Sequence, residues 1–264
     1  MSFSGRSFIY DSVPSESYGL YIMDIDADAI NRIMGSFSLD IMEQKLFRRS
    51  TPYFYGSTAS PKLSFPFSAY SEQEMDSDLY GLVQKWLFSP RQYKKFQIDQ
   101  YDLQNLYFNC LLTEPNVVKS GNMIQGFSCS ILCDSPFAWK FPITTTYSYS
   151  VSVVDDTVIF NNSSDDSGDY LRPRLIVTMN NVGGDITIVN ESDGGRIFRF
   201  TGLSAGESIT IDNSLQIISS STGLRRLSNF NKKFFRLVSG ANTFRIQGNV
   251  ESIYMITQFV SKKI

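Results

Sequence analysis

The chain has 264 residues, enough for two domains at about 150 residues each. Hydrophobic residues make up 42% and charged ones 19%, with 21 Phe and 14 Tyr, so the sequence excludes a disordered chain and promises an aromatic core. A net charge of −2 lacks the basic excess of a nucleic-acid binder, and the absence of His removes Ser-His-Asp and Cys-His catalysis, His-ligated metals and histidine pH switching together.

The opening MSFSGRSFIYD has no apolar leader core, and no stretch reaches the 18 or more apolar residues of a membrane-spanning helix. The chain is therefore expected to be made and folded in the cytoplasm, without membrane insertion. Long strand candidates fill the first half at Tyr18 to Ile25, Lys62 to Tyr70, Tyr93 to Ile98 and Met123 to Leu132. From the end of the first of these, MDIDADA sets Asp24, Asp26 and Asp28 at the 1, 3, 5 spacing of a calcium loop, but Ala29 and Gly35 stand where that loop needs Gly and Glu. An exposed polar strand end is the expectation.

One segment has helical period. In MDSDLYGLVQKWLFSP, Leu79, Leu82, Val83, Trp86 and Leu87 form an apolar stripe, Asp76 or Ser77 can cap the start, and Pro90 marks the end. A helix over 77–88 with such a stripe lies on a sheet, so the first half is expected to be a barrel-like or sandwich-like β domain with one packed helix. Cys110, Cys129 and Cys133 are odd in number. On a strand, Cys129 and Cys133 stand roughly 13 Å apart, beyond disulfide reach, and reduced core thiols are expected.

The stretch from Phe141 through Pro142 to Ser148 has no helical period, and the domain boundary is placed there, giving domains 1–141 and 142–264. Asn161 to Gly168 is a polar loop, and a second calcium spacing from Asp165 fails because Ile176 takes the twelfth place. Beyond it, period-2 alternation dominates. Leu175, Val177 and Met179 share a face, and similar runs at Asp185 to Val189, Arg196 to Thr201, Phe244 to Gln247 and Ser252 to Phe259 are separated by short Asn-, Gly- and Asp-rich turns. This is the pattern of an antiparallel β-sandwich.

Within that half, Gly202-Leu-Ser-Ala-Gly-Glu-Ser208 has the look of a phosphate loop. Gly202 and Gly206 enclose three residues instead of four, Glu207 stands where a Lys would meet phosphate, and the following Ser-Ile-Thr-Ile-Asp alternates as a strand. A turn from Ser204 to Glu207 is expected, with Ile209 and Ile211 inward, Thr210 and Asp212 outward, and a further turn at Asn213-Ser214. Asn229-Phe-Asn-Lys-Lys-Phe-Phe-Arg236 interleaves bases with aromatics, as a stacking platform for single-stranded nucleic acid does. The preferred account is a polar turn entering a strand whose Phe235 and Leu237 point inward. The doublets Arg48-Arg49, Lys94-Lys95 and Lys262-Lys263 read as solvated faces, some open to acidic partners. Nothing singles out a carboxylate pair for glycoside hydrolysis, and of the two Trp, Trp86 belongs to the helix stripe, leaving sugar stacking without support.

Three stretches carry a family resemblance. Phe8 to Ile22, with a short strand, Ser15-Glu16 and then Tyr18-Gly19-Leu20, resembles the start of distal tail proteins (Dit) of long-tailed, non-contractile phages. The helix ending in Trp86-Leu87 followed by Tyr93 to Ile98 resembles that family's helix-then-strand segment. Leu203 to Asp212, Asn229-Phe-Asn231 and Phe235 to Asn242 are similar to its C-terminal galectin-like sandwich. The resemblance implies a virion protein without catalytic residues, cofactor or metal. It implies a hexameric ring at the distal end of the tail, built by the first domains, with the sandwiches as attachment points. The implied partners are further copies of the chain, the tail tube protein, a tail-tip protein, the tape measure and receptor-binding proteins, with DNA only passing through the lumen. There is no large insertion in the second domain that would add a sugar-binding module. The alternatives are a receptor-binding tail protein whose sandwich binds host cell-wall carbohydrate, and a wall hydrolase using Asp and Glu.

Overall fold

The computed structural model describes residues 7–23, 38–60, 62–101, 103–121, 123–150 and 154–262. The chain divides into two compact units, Met1–Lys140 with Ser261–Ile264, and Phe141–Val260.

The first unit contains β1 (Phe8–Tyr10), β2 (Val13–Pro14), β3 (Leu20–Ile22), β4 (Ser38–Gln44), β5 (Tyr53–Ser60), β6 (Ser64–Met75), α1 (Ser77–Phe88), β7 (Lys94–Ile98), β8 (Leu106–Ser120), β9 (Met123–Cys133) and β10 (Ala138–Lys140). Its main sheet is antiparallel and runs β2, β1, β7, β8, β9, β6, β3, with β10 beside β8. Among the described residues, β4 and β5 pair only with each other.

Alternation explains the main sheet. Phe65, Phe67 and Ala69 on β6, Phe96 and Ile98 on β7, Phe108, Cys110 and Leu112 on β8, and Phe127, Cys129, Ile131 and Cys133 on β9 all turn to one buried face. The pairing keeps them level, with Phe67 opposite Cys129, Cys110 opposite Cys133, and Tyr10 opposite Phe96. α1 closes this face. Asp76 accepts a hydrogen bond from the Leu79 amide at 2.8 Å and caps the first turn. Val83 and Leu87 are buried, while Trp86 stacks against Phe8 at 5.9 Å and Tyr18 at 4.8 Å and donates to the Tyr10 carbonyl at 3.0 Å. Leu82 departs from the expected stripe: it is 56% exposed, because it sits about 100° around the helix from Val83, off the face that meets the sheet.

The expected strand from Tyr18 to Ile25 is corrected too. Ser15–Tyr18 is a short 3₁₀ turn closed by Gly19 in the left-handed region, φ 62°, and only Leu20–Ile22 is strand. Asp24 and Ile25, with Asp26 and Asp28 of the calcium-like spacing, lie outside the described residues.

The second unit is an antiparallel sandwich of β11 (Ile143–Ser148), β12 (Val154–Asn162), β13 (Arg174–Met179), β14 (Gly184–Asn190), β15 (Arg196–Leu203), β16 (Ser208–Asp212), β17 (Ile217–Ser220), β18 (Gly240–Gly248) and β19 (Val250–Thr257). A five-stranded sheet in the order β11, β19, β13, β16, β17 contributes Leu175, Val177, Met179, Ile209, Ile211, Ile253 and Met255 to the core. A four-stranded sheet in the order β12, β18, β14, β15 contributes Ile186, Ile188, Phe198, Phe200, Phe244 and Ile246.

The expected strand through Phe235 and Leu237 does not form. Between β17 and β18 the chain is irregular apart from a 3₁₀ turn at Leu227–Asn229 and single bridges of Phe230 to Phe200 and Leu237 to Leu171. Buried asparagines hold it in place of a ladder. Asn213 donates to the Pro173 carbonyl and accepts from the Phe235 amide, Asn190 donates to the Arg236 carbonyl, and Asn242 both accepts from the Val238 amide and donates to its carbonyl. These side chains satisfy backbone groups that would otherwise be buried without partners.

Candidate functional site

The phosphate-like loop is filled by the protein itself. Ile209 and Ile211 face the core and Ser204 to Glu207 make the turn, as the alternation requires, but Glu207 is 1% exposed instead of solvated. Its carboxylate accepts from the Ser204 amide at 2.8 Å, from the Ser220 hydroxyl, and from both Nε and Nη2 of Arg226, Nε at 2.8 Å. Burial alone would raise this carboxyl's pKa. The hydrogen bonds from Arg226, Ser220 and Ser204, with the Arg226 charge, outweigh that and hold it at about 2. The turn thus holds an anion, and the anion is its own Glu207. The Gly206 amide is also taken, by the Asn180 carbonyl at 2.8 Å, so these donors cannot take a phosphate.

The aromatic-basic stretch is likewise no platform for bases. Phe230 and Phe235 are buried, Phe234 packs against the same core, and Phe230 stacks on Phe200 at 4.6 Å. Arg236 forms a two-point bond to Asp193 at 2.7 and 3.0 Å and lies 3.7 Å over the Tyr170 ring. Of the basic doublets, Lys94 pairs with Asp11 at 2.8 Å, Lys95 lies 4.7 Å over Tyr107, and Lys262 lies 5.9 Å over Phe137. The Trp86 ring is sandwiched between Phe8 and Tyr18 and closed to sugar stacking, and half-buried Trp139 donates to Asp134 at 3.2 Å. Asp165 donates its amide to the Val260 carbonyl, and among the described residues no three Cys, Asp or Glu side chains converge as a metal site.

The three thiols are buried and free, and burial raises all of them, Cys129 and Cys133 to about 12, the latter with help from Asp134. Cys110 is pushed up further by burial and by its two neighbouring thiols. A nucleophile needs the opposite shift.

Surfaces are more informative than pockets. The β4–β5 hairpin exposes Ile41, Met42, Leu46, Phe47, Tyr53, Phe54 and Tyr55, with Phe47 90% and Phe54 66% exposed. Its turn is ordered by the Arg49 amide donating to the Leu46 carbonyl at 3.2 Å, with Arg48 in the left-handed region at φ 66°. The Arg48 guanidinium lies 5.3 Å over Phe47 and that of Arg49 4.1 Å over Tyr53. No acid occurs from residue 44 to 71, and then Glu72, Glu74, Asp76 and Asp78, all exposed, follow at alternate positions with no base between 63 and 84. In the second unit a shallow polar groove is lined by Ser148, Tyr149, Ser150, Glu251, Ser252 and Tyr254. Sequence alternation missed the hairpin because neither of its faces is buried.

Comparison with known proteins places the chain. Residues 3–135 match the model of a phage tail protein N-terminal domain, and residues 137–255 that of a phage tail C-terminal domain. The chain belongs to this phage tail protein family. Its structure is similar to the crystal structure of the Dit protein (gp 19.1) of SPP1, described as a paradigm of the hub adsorption apparatus in phages that infect Gram-positive bacteria. The TM-score is 0.72 at 9% identity, over 97% of this chain and 100% of that one, which is a likeness of fold. No curated protein matches the chain. The resemblance to distal tail proteins, the mostly β architecture and the packed helix at Ser77–Phe88 expected from sequence are all met.

Proposed function

We propose that this phage tail protein is the distal hub of a long tail: a non-catalytic ring of six copies that joins the tail tube to the tail tip and carries the adsorption proteins. The observation that carries this reading is the match of fold along nearly the whole chain to the SPP1 Dit protein, combined with tail-protein family models over both halves. The first unit forms the ring and the galectin-like second unit offers attachment points. A ring of identical subunits needs a head-to-tail interface between two unlike surfaces of one chain, closed by rotation. The first unit has such a pair in its apolar, cationic hairpin and its acidic Glu72 to Asp78 stretch. The lack of any His in the sequence agrees with a structural part.

Mass in solution by light scattering, with negative-stain images, tests the proposal. Six-fold rings are expected. A chain that stays monomeric up to tens of micromolar, alone and mixed with its tail tube protein, overturns it. A second reading, binding of host cell-wall carbohydrate by the sandwich, is favoured by the groove of Ser hydroxyls, two Tyr and Glu251. Retention of the full chain on host cell walls that is lost in Tyr254→Ala would support it, and no retention would remove it.

A further inference from the structure

Two-stranded ribbons are marginal in water unless a third strand or a packed layer covers them. The β4–β5 hairpin has neither among the described residues: its pairing runs from Ser38 opposite Ser60 to Gln44 opposite Tyr53, and both outer edges lack a partner strand. Yet it is built for contact. Taking about 150–250 Å² for each aromatic side chain, its seven exposed apolar residues offer on the order of 700–800 Å². A stable interface of standard size buries about 800 Å² per partner, so the hairpin approaches what one subunit must contribute when both of its faces are enclosed, and supplies about half of it through one face. A patch of that size is more than a monomer in solution normally leaves exposed.

The charges identify the occupant. Lys45, Arg48 and Arg49 gather at the turn, and among the described residues none is in a salt bridge. Glu72, Glu74 and Asp78 are exposed and equally without a salt bridge, and Glu72 is close enough to Tyr21 to raise that phenol. The same chain therefore carries a cationic apolar arm and an acidic strand end that do not neutralise each other within one copy.

We infer that the β4–β5 hairpin is a docking arm for a second copy of this chain, its apolar flank laid on the neighbour and its Lys45, Arg48 and Arg49 set against the neighbour's Glu72, Glu74 and Asp78. The inference rests on the ring reading above and supplies its contact. The aromatic flank holds the subunits together, and the charges select which surface of the neighbour is met, so that two unlike surfaces join as a head-to-tail ring requires.

Charge exchange tests it in the full chain. Arg48→Glu with Arg49→Glu should raise the protein concentration needed for half-assembly at least tenfold, and Glu72→Arg with Glu74→Arg should do the same. Combining all four should restore assembly to within about threefold of the natural chain. Phe47→Ala with Phe54→Ala should weaken it with little dependence on salt, whereas the charge variants should show a weaker salt dependence than the natural chain. All of these positions are exposed, so far-ultraviolet circular dichroism should stay unchanged and a folding failure is read directly. Rings that persist in both the charge and the aromatic variants, or four substitutions no better than two, overturn the arm while leaving the ring reading intact. A natural chain that never assembles overturns both.

Discussion

Replacing Arg226 with Met isolates the buried pair in the second unit. Glu207 has a side chain with no solvent exposure, and Arg226 is 10% exposed, so neither charge is screened by bulk water. The carboxylate accepts five hydrogen bonds, of which Arg226 supplies two and the Ser204 amide and the Ser220 and Thr222 hydroxyls the others. Charged hydrogen bonds contribute about 1.5–3 kcal/mol each, and breaking a buried pair from one side costs about 3–5 kcal/mol because the other charge stays buried. Arg226→Met should therefore lose about 3–5 kcal/mol at pH 7. Adding Glu207→Leu should recover most of it, since an apolar pair of similar volume is neutral or stabilising at such sites. In the natural chain Glu207 sits at about 2, below its ordinary value near 4.5, so its contribution is complete above pH 4.5 and fades as the pH falls towards 2. In Arg226→Met burial wins, the carboxyl rises, and lowering the pH from 7 to 4 should narrow the gap to the natural chain. Urea unfolding followed by far-ultraviolet circular dichroism measures the energies, and hydrogen exchange of the β16 amides localises them. Both Trp lie outside this unit and cannot report on it. A single variant that loses under about 1 kcal/mol, or a double variant as weak as the single one, refutes the account.

The other expectations concern packing. Gly183 has φ 70°, and a Cβ there would stand 2.6 Å from the Ala205 amide nitrogen and 2.7 Å from the Leu203 carbonyl oxygen, so Gly183→Ala should cost about 2 kcal/mol or more and lower Tm by several degrees. Tyr10→Phe removes a buried hydroxyl that has no hydrogen-bond partner among the described residues and should be neutral or stabilising by up to about 1–3 kcal/mol; a loss above 1 kcal/mol in urea unfolding would show a missing partner. Trp86→Ala, which empties the stack between Phe8 and Tyr18, should lose about 3–5 kcal/mol in the first unit alone, read by selective loss of hydrogen-exchange protection in β1 and α1. The three thiols should resist a thiol reagent at pH 8 in the folded chain and all react in denaturant. Because their folded pKa values lie above the ordinary value of 9, they favour the fold below pH 9 and lose that contribution as the pH rises towards 12.

Legibility in the sequence followed burial. Where one face of an element meets a core, period alone was sufficient: Leu175, Val177 and Met179, or Val83 and Leu87, could be placed because water sits on the opposite side. Glu207 shows the limit. The sequence marks it as the residue that spoils a phosphate loop, but its partner Arg226 is 19 positions away across β16, β17 and an irregular segment, and no spacing rule joins the two. The asparagines show the same limit from another side. Asn180 and Asn213 belong to turns as composition suggests, yet Asn213 is also buried and fixes Phe235 through its amide, a role that depends on tertiary placement and leaves no local pattern.

The hairpin is the converse case. SLDIMEQ and YFYGSTAS have apolar residues on both faces of a ribbon, so the in-out contrast from which a strand is recognised is absent. That is what a strand looks like when the surface that buries it belongs to another chain: the missing half of the alternation is in the neighbour. A protein that works by assembly keeps functional information in such places, and they are found by asking which well-formed element has no reason to be stable alone. By that criterion β4–β5 stands apart from the other strands of the first unit, and the acidic run that follows β5 in the sequence provides the charge it lacks.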